Sequence, residues 1–340
     1  MSYKATFFNL ELWEKELVAQ SPKLAAAEIK VAFEDHNLDA DHPAAEADFE
    51  IAGAFATSKI NASVIQSLPG LKFIAALSTG YDNIDLAACA ARGVLVSNVP
   101  AYGENTVAEF AFGLILELSR KICESHDRVK IEGSFRLDGL RGFDLGGKTI
   151  GVVGTGHIGR HMIRIAKGFN MNVLAFDAQP DEAYAKEAGI TYLPLNDLLS
   201  RSDIITFHVP YMPATHHLLS KDNIGLVKRG AYIINTARGA IIETDALVKA
   251  LKEGHIGGAG LDVLEEEGMI IDELELLSDD RTVGHDLKTV LEDHTLIDMP
   301  NVVVTPHNAF NTKEAITRML EAAIDNVVAY VKGQPTNLVK

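Results

Sequence analysis

A chain of 340 residues is long for a single compact core, so two domains are the natural expectation. Its hydrophobic content of 47% with 23% charged residues is that of an ordinary globular protein, and a formal net charge of −16 without Lys/Arg clusters argues against nucleic acid as a partner. No apolar run is long enough for a bilayer, the N-terminus lacks the order of a signal peptide, and Cys89 and Cys123 are too few for a disulfide framework, so we expect a cytoplasmic, non-membrane protein with two buried free thiols.

Apolar runs bounded by turn residues predict strands at Lys4–Asn9, Ile29–Phe33, Phe49–Phe55, Phe73–Leu77 and Val94–Asn98. Helices are predicted between them at Leu10–Ala19, Ala62–Ser67 and Ile84–Ala91. This is an α/β domain of its own without a phosphate-binding turn. The one polar, glycine-containing loop directly after a buried-type strand is Ser78-Thr79-Gly80. Ligands of open α/β sheets sit outside the carboxyl ends of the strands, which makes this loop a candidate substrate contact. Asn105–Cys123 then reads as one long helix, apolar at Val107, Phe110, Leu114, Ile115 and Leu118, and Gly133–Gly147 as a loop.

The next stretch, TIGVVGTGHIGRHMIRIAKGFNMNVLAFD over Thr149–Asp177, organises the rest. It has the order strand, tight turn, helix, strand, with Gly154-x-Gly156-x-x-Gly159 in the turn and a carboxylate, Asp177, at the end of the second strand. Such a turn lets backbone N–H groups and a helix N-terminus hold a pyrophosphate. Asp177 suits a ribose diol and repels a 2′-phosphate, so NAD is favoured over NADP. His157 lies inside the motif, where it either brushes the pyrophosphate or is a simple loop histidine.

Past Asp177 the alternation resumes with Leu195–Leu199, Ile204–His208, Ala231–Asn235, a helix over Asp245–Lys252 with Thr244 as N-cap, Ala259–Leu264 and Val302–Val304. A doubly wound parallel sheet follows. Glu265–Asn301 is irregular and acidic (Asp279, Asp280, Asp286, Glu292, Asp293) and reads as an insertion whose charges form a solvated face. The last helix, Thr312–Val331, can return to the first domain, so that the two long helices form a hinge and the cofactor domain interrupts a discontinuous first domain.

Three residues stand just beyond predicted strands: Arg238, Glu267 and His307. A guanidinium grips a small carboxylate with two parallel hydrogen bonds, an imidazole exchanges a proton near neutral pH, and a carboxylate beside it fixes its tautomer. Together they suit hydride transfer to a 2-oxo acid. Within Glu265-Glu266-Glu267 spacing alone does not choose. His216 and His217 are adjacent, so their side chains should diverge in helix or strand, and no metal site is expected.

GVVGTGHIGRHMIRIAKGFNMNVLAFD, HVPYMPATHHLL, IINTARGAIIETDAL, GLDVLEEE and NVVVTPHNAF, in this order, resemble the D-isomer-specific 2-hydroxyacid dehydrogenases. LSTGYDNIDLAACAARGVLVSNVPAYGENTVAEFAFGLIL is similar to the end of that family's first domain, so the resemblance spans almost the whole chain. It implies a Rossmann-type NAD domain (104–310) inserted into a flavodoxin-like substrate domain (1–103 and 311–340), and a homodimer. It places the catalytic arginine, glutamate and histidine on Arg238, Glu267 and His307, and substrate contacts on Ser78, Thr79, Gly80, Tyr102 and Phe310. Its cofactor contacts fall on Gly154, Gly156, His157, Ile158, Gly159 and Asp177, on His208, Val209 and Pro210, on Thr236 and Ala237, and, near the nicotinamide, on Asp262. Tyr102 and the long acidic insertion are similar to the D-lactate dehydrogenase branch, which implies pyruvate reduction by NADH. Gly268, where many members carry proline, and Phe310, where D-lactate dehydrogenases often carry tyrosine, depart from it. The alternatives are a glyoxylate, hydroxypyruvate or branched 2-oxo acid reductase, or a non-enzymatic NAD-sensing scaffold that shares the fold.

Overall fold

The computed structural model describes residues 3–267 and 287–339, the side chain of Leu287 excepted. The chain divides into two compact units, one of residues 1–103 with 311–340 and one of residues 104–310. Each is an α/β unit built on a parallel sheet.

The first carries β1 (Lys4–Phe8), β2 (Lys30–Glu34), β3 (Ile51–Ala54), β4 (Phe73–Ala76) and β5 (Leu95–Ser97) in the order β2-β1-β3-β4-β5. Every residue of β3 and β4 is buried. Helices cover both faces of a parallel sheet, so its central strands read as continuous apolar runs rather than as alternation. The helix Lys313–Val331 packs on this sheet, and its Tyr330 ring stacks on Phe73 with centroids 4.4 Å apart. Thr312 caps it by accepting from the Ala315 N–H.

The second unit carries β6 (Thr149–Val153), β7 (Asn172–Phe176), β8 (Thr191–Tyr192), β9 (Ile204–Phe207), β10 (Ala231–Asn235), β11 (Ile256–Leu261) and β12 (Val302–Val304). Their order is β12-β11-β10-β9-β6-β7-β8, all parallel. The chain reverses direction of growth between β6 and β9, which opens a crevice at their carboxyl ends.

Several expectations need correction. The helix expected over Asn105–Cys123 is two, Glu104–Arg120 and Ile122–Lys130, because Lys121 adopts a left-handed conformation (φ 51°) and the Glu117 carboxylate takes the Cys123 N–H at the start of the second. Cys123 is therefore exposed, and only Cys89 is a buried thiol. Leu195–Leu199 belongs to a helix, Leu195–Arg201, preceded by the two-residue β8, which is too short to show a period. Thr244 is the first helical residue of Thr244–Lys252 rather than its cap; Glu243 precedes it there. The acidic insertion contains a helix, Leu287–Asp298, on which Asp293 is fully buried. Asp279, Asp280, Asp286 and Gly268 lie outside the described residues.

Candidate active site

At the end of β6, Gly154 has φ +94°, and a Cβ there would lie 2.6 Å from the carbonyl oxygen of His208, the residue after β9. A Cβ on Gly159 would lie 2.0 Å from the Gly154 oxygen. These two glycines let strand, turn and helix close on one another. Gly156 is different: a Cβ would meet nothing within 4 Å, and the residue is exposed at the start of the helix His157–Gly168. The opening it leaves faces free helical N–H groups, which is what a pyrophosphate needs. Ile158 is half-buried against the core. His157 points outward, its side chain 81% exposed and 3.4 Å from Glu104.

Asp177 follows β7. Burial would raise its pKa, but the Gln179 N–H and the Thr155 N–H and hydroxyl all donate to it, so it lies below the ordinary aspartate value and stays ionised. Motif spacing passed over Thr155 and its hold on Asp177, since the variable position between two glycines carries no signature. At the end of β9, enclosure by protein pushes the pKa of His208 down to about 4 although some of its surface still meets solvent, and its Nε2 is 2.9 Å from the Thr206 hydroxyl. A neutral ring at the crevice follows. Val209 abuts the Gly154 position, and the Pro210 oxygen accepts from Thr215. After β10, the Thr236 hydroxyl is buried with no hydrogen-bond partner, an orphan that a cofactor polar group would satisfy. Ala237 follows, its N–H donating to the Asn235 side chain.

The strand ends after β10, β11 and β12 are interlocked. Asn235 also donates to the Arg238 carbonyl, and the Arg238 guanidinium donates to the Ala237 oxygen. A Cβ on Gly239 would sit 2.0 Å from the Leu264 carbonyl atoms, so the turn bearing Arg238 lies flat against the loop bearing Glu267. Of the acidic trio, Glu267 is the one whose carboxylate meets His307, with Oε1 2.8 Å from Nδ1. Glu265 is engaged elsewhere: it pairs with His217 at 2.6 Å and accepts from the Thr244 N–H and hydroxyl. Glu266 presents its N–H to Asp293 at 3.2 Å. His216 and His217 do not diverge; with His217 at φ 50°, neither helical nor extended, their rings stack 3.8 Å apart.

Asp262, expected beside the nicotinamide, is 1% exposed and turned toward the loop after β12. It accepts from the Thr305 hydroxyl at 2.5 Å and from the N–H groups of Asn308 at 2.9 Å and Ala309 at 2.8 Å. The backbone of His307, itself left-handed at φ 49°, donates to the Asp262 carbonyl. Phe310 stands edge-on to the His307 ring, centroids 6.3 Å apart.

In the first unit, the Ser78 hydroxyl donates to the Gly80 oxygen and the Thr79 hydroxyl to the Val99 oxygen, which shapes the loop after β4. The Tyr102 carbonyl accepts from Arg318. Among the described residues there is no helix long and apolar enough to cross a membrane and no cluster of metal-ligating side chains.

Residues 112–309 match the family model described as D-isomer specific 2-hydroxyacid dehydrogenase, NAD binding domain. The chain is 34% identical over 337 residues to a glyoxylate reductase of Korarchaeum cryptofilum, covering 98% of this chain and 90% of that protein. Among solved structures it is similar to the pyruvate reductase of Chlamydomonas reinhardtii, with a TM-score of 0.84, 35% identity and 98% of each chain covered. It is also similar to D-lactate dehydrogenase from Aquifex aeolicus complexed with NAD and lactic acid, with a TM-score of 0.80, 33% identity, and 97% of this chain and 96% of that one covered. The cofactor is thus NAD, and the chain belongs to the D-isomer-specific 2-hydroxyacid dehydrogenase family.

Proposed function

We propose that the protein reduces small 2-oxo acids with NADH, pyruvate to D-lactate foremost. The observation that carries this reading is the His307–Glu267 pair, 2.8 Å apart on a loop that Asp262 holds by two backbone N–H groups and a hydroxyl. When bound, NADH supplies the hydride that the carbonyl carbon accepts. Arg238 holds the substrate carboxylate and polarises the carbonyl. With Nδ1 on Glu267, the His307 ring keeps Nε2 for the proton that the carbonyl oxygen takes as the alcohol forms, and it recovers that proton from solvent; in the reverse direction the neutral ring removes it. Ser78, Thr79, Gly80 and Tyr102 are assigned substrate contacts in the first unit, and Phe310 in the second. The likeness to a pyruvate reductase and to a D-lactate dehydrogenase crystallised with lactic acid supports pyruvate.

A second reading is favoured by the similarity to a glyoxylate reductase: a glyoxylate or hydroxypyruvate reductase with the same machinery. Steady-state assay of the purified protein with NADH and pyruvate, glyoxylate, hydroxypyruvate or 2-oxoisocaproate, with chiral analysis of the product, separates the two. The highest kcat/KM is expected with pyruvate, and the D-enantiomer alone. A clear preference for glyoxylate would move the protein to the second reading; turnover of none would leave an NAD-sensing scaffold. We further infer that the chain forms a homodimer, because Ile131, Phe135 and Leu137, at 76%, 86% and 81% exposure, continue the exposed Ile122 and Val129 along one stretch of sequence.

A further inference from the structure

The helix Leu287–Asp298 turns Val290, Asp293 and Leu296 inward at three-residue spacing, exposed 1%, 0% and 1%. Asp293 therefore occupies a position that the apolar stripe reserves for a hydrophobic side chain. A carboxyl group there is costly unless it is hydrogen-bonded and its charge is balanced. Among the described residues neither condition is met in full: Oδ2 accepts from the Glu266 N–H at 3.2 Å, while Oδ1 has no hydrogen-bond partner. The charged groups around it are mostly of its own sign. Glu265 and Glu266 face it from the loop after β11 and Glu292 from its own helix; Lys288 answers Glu292 and Asp245 of the helix Thr244–Lys252, and His217 answers Glu265. Burial first, then the neighbouring carboxylates, push its pKa up to about 7. An acid in an apolar stripe breaks the local pattern, as residues at functional positions do.

We propose that Asp293 is a positioning residue for Glu267: from beneath the loop it holds the Glu266 backbone, and so fixes the carboxylate that meets His307. The proposal rests on the acid–base reading of Glu267 and His307. The loop is then fastened residue by residue, with Glu265 on His217 and Thr244, Glu266 on Asp293 and Glu267 on His307. An acceptor is required at position 293, because the anchor is a backbone N–H that no apolar side chain can replace. Below a pH of about 7 the buried acid is neutral and the loop is undisturbed. Above it the charge tightens the hydrogen bond from the Glu266 N–H but is repelled by the carboxylates of Glu265, Glu266 and Glu292, so the loop responds to pH in this range.

The test is a mutant cycle in the full-length enzyme. Asp293→Leu is expected to lower kcat about tenfold while NADH affinity, read by fluorescence titration, stays within about twofold. Asp293→Asn, which keeps an acceptor of the same shape and cannot ionise, is expected to restore kcat to within about twofold and to remove the component of the kcat–pH profile near pH 7. In a Glu267→Gln background, Asp293→Leu is expected to cost nothing further, because its effect passes through the group already removed. Wild-type kcat in Asp293→Leu, or losses that simply add in the double variant, would overturn the proposal while leaving Glu267 its role. A Glu267→Gln enzyme with normal turnover would instead overturn the acid–base reading. Should Asp293→Leu fail to fold, Asp293→Ala, which leaves space rather than filling it, answers the same cycle.

Discussion

A lysine at position 238 would keep the positive charge and lose the two-pronged grip on a carboxylate. Arg238→Lys is accordingly expected to lower kcat/KM for the preferred 2-oxo acid by about a hundredfold, with the NADH dissociation constant changed by less than about threefold. Near-normal turnover in that variant would remove Arg238 from substrate binding. At Asp177 the carboxylate is held ionised by Thr155 and Gln179, and its proposed role is to reject a 2′-phosphate. Asp177→Ala is expected to narrow the ratio of kcat/KM for NADH over NADPH by about tenfold, and a wild-type enzyme indifferent between the two cofactors would refute the role. Where such residues stand in the fold was legible, because position constrains type: glycine where a turn must be tight, an acid at the end of the next strand. The choice within Glu265-Glu266-Glu267 was not legible from spacing alone. It depends on which partner each carboxylate meets across 40 or 48 residues of chain, and a one-residue step in a loop has no period to reveal it.

At the scale of elements, Gly239 joins two strand ends that sequence shows only separately. An alanine there would drive its Cβ into the Leu264 carbonyl, backbone that has nowhere to yield. Gly239→Ala is therefore expected to separate the Arg238 turn from the Glu267 loop, lowering kcat at least tenfold while the glycine turn at β6 still binds NADH; unchanged kcat would show that the contact has no kinetic weight. The strands themselves were readable, since central parallel strands are apolar throughout. The elements that were misread have separate causes. Lys121 breaks an otherwise continuous helical period because Glu117 offers the next helix its cap, and Leu287–Asp298 is a helix whose inward stripe is interrupted by an acid.

For the whole molecule, the two parallel sheets could be anticipated from the order of strands and helices, whereas exposure could not. Nothing in the sequence says that Phe135 and Leu137 stay in solvent. If a second copy covers them, the wild-type chain of 36.8 kDa should sediment at about twice that mass, and Phe135→Glu combined with Leu137→Glu should sediment as the single chain; a monomeric wild type would end the dimer assignment. The fastening of the His307 loop to Asp262 carries a consequence for how the molecule breathes. The amides of His307, Asn308 and Ala309 donate to Asp262, which leaves the end of β11 and donates in turn to Asn235 of β10. Amides so tied exchange their hydrogens only when the sheet itself opens. A surface loop should then be as slow to take up deuterium as the core strands beside it, and His307 would lose its place only in the rare event that dissolves the seven-stranded sheet as a whole.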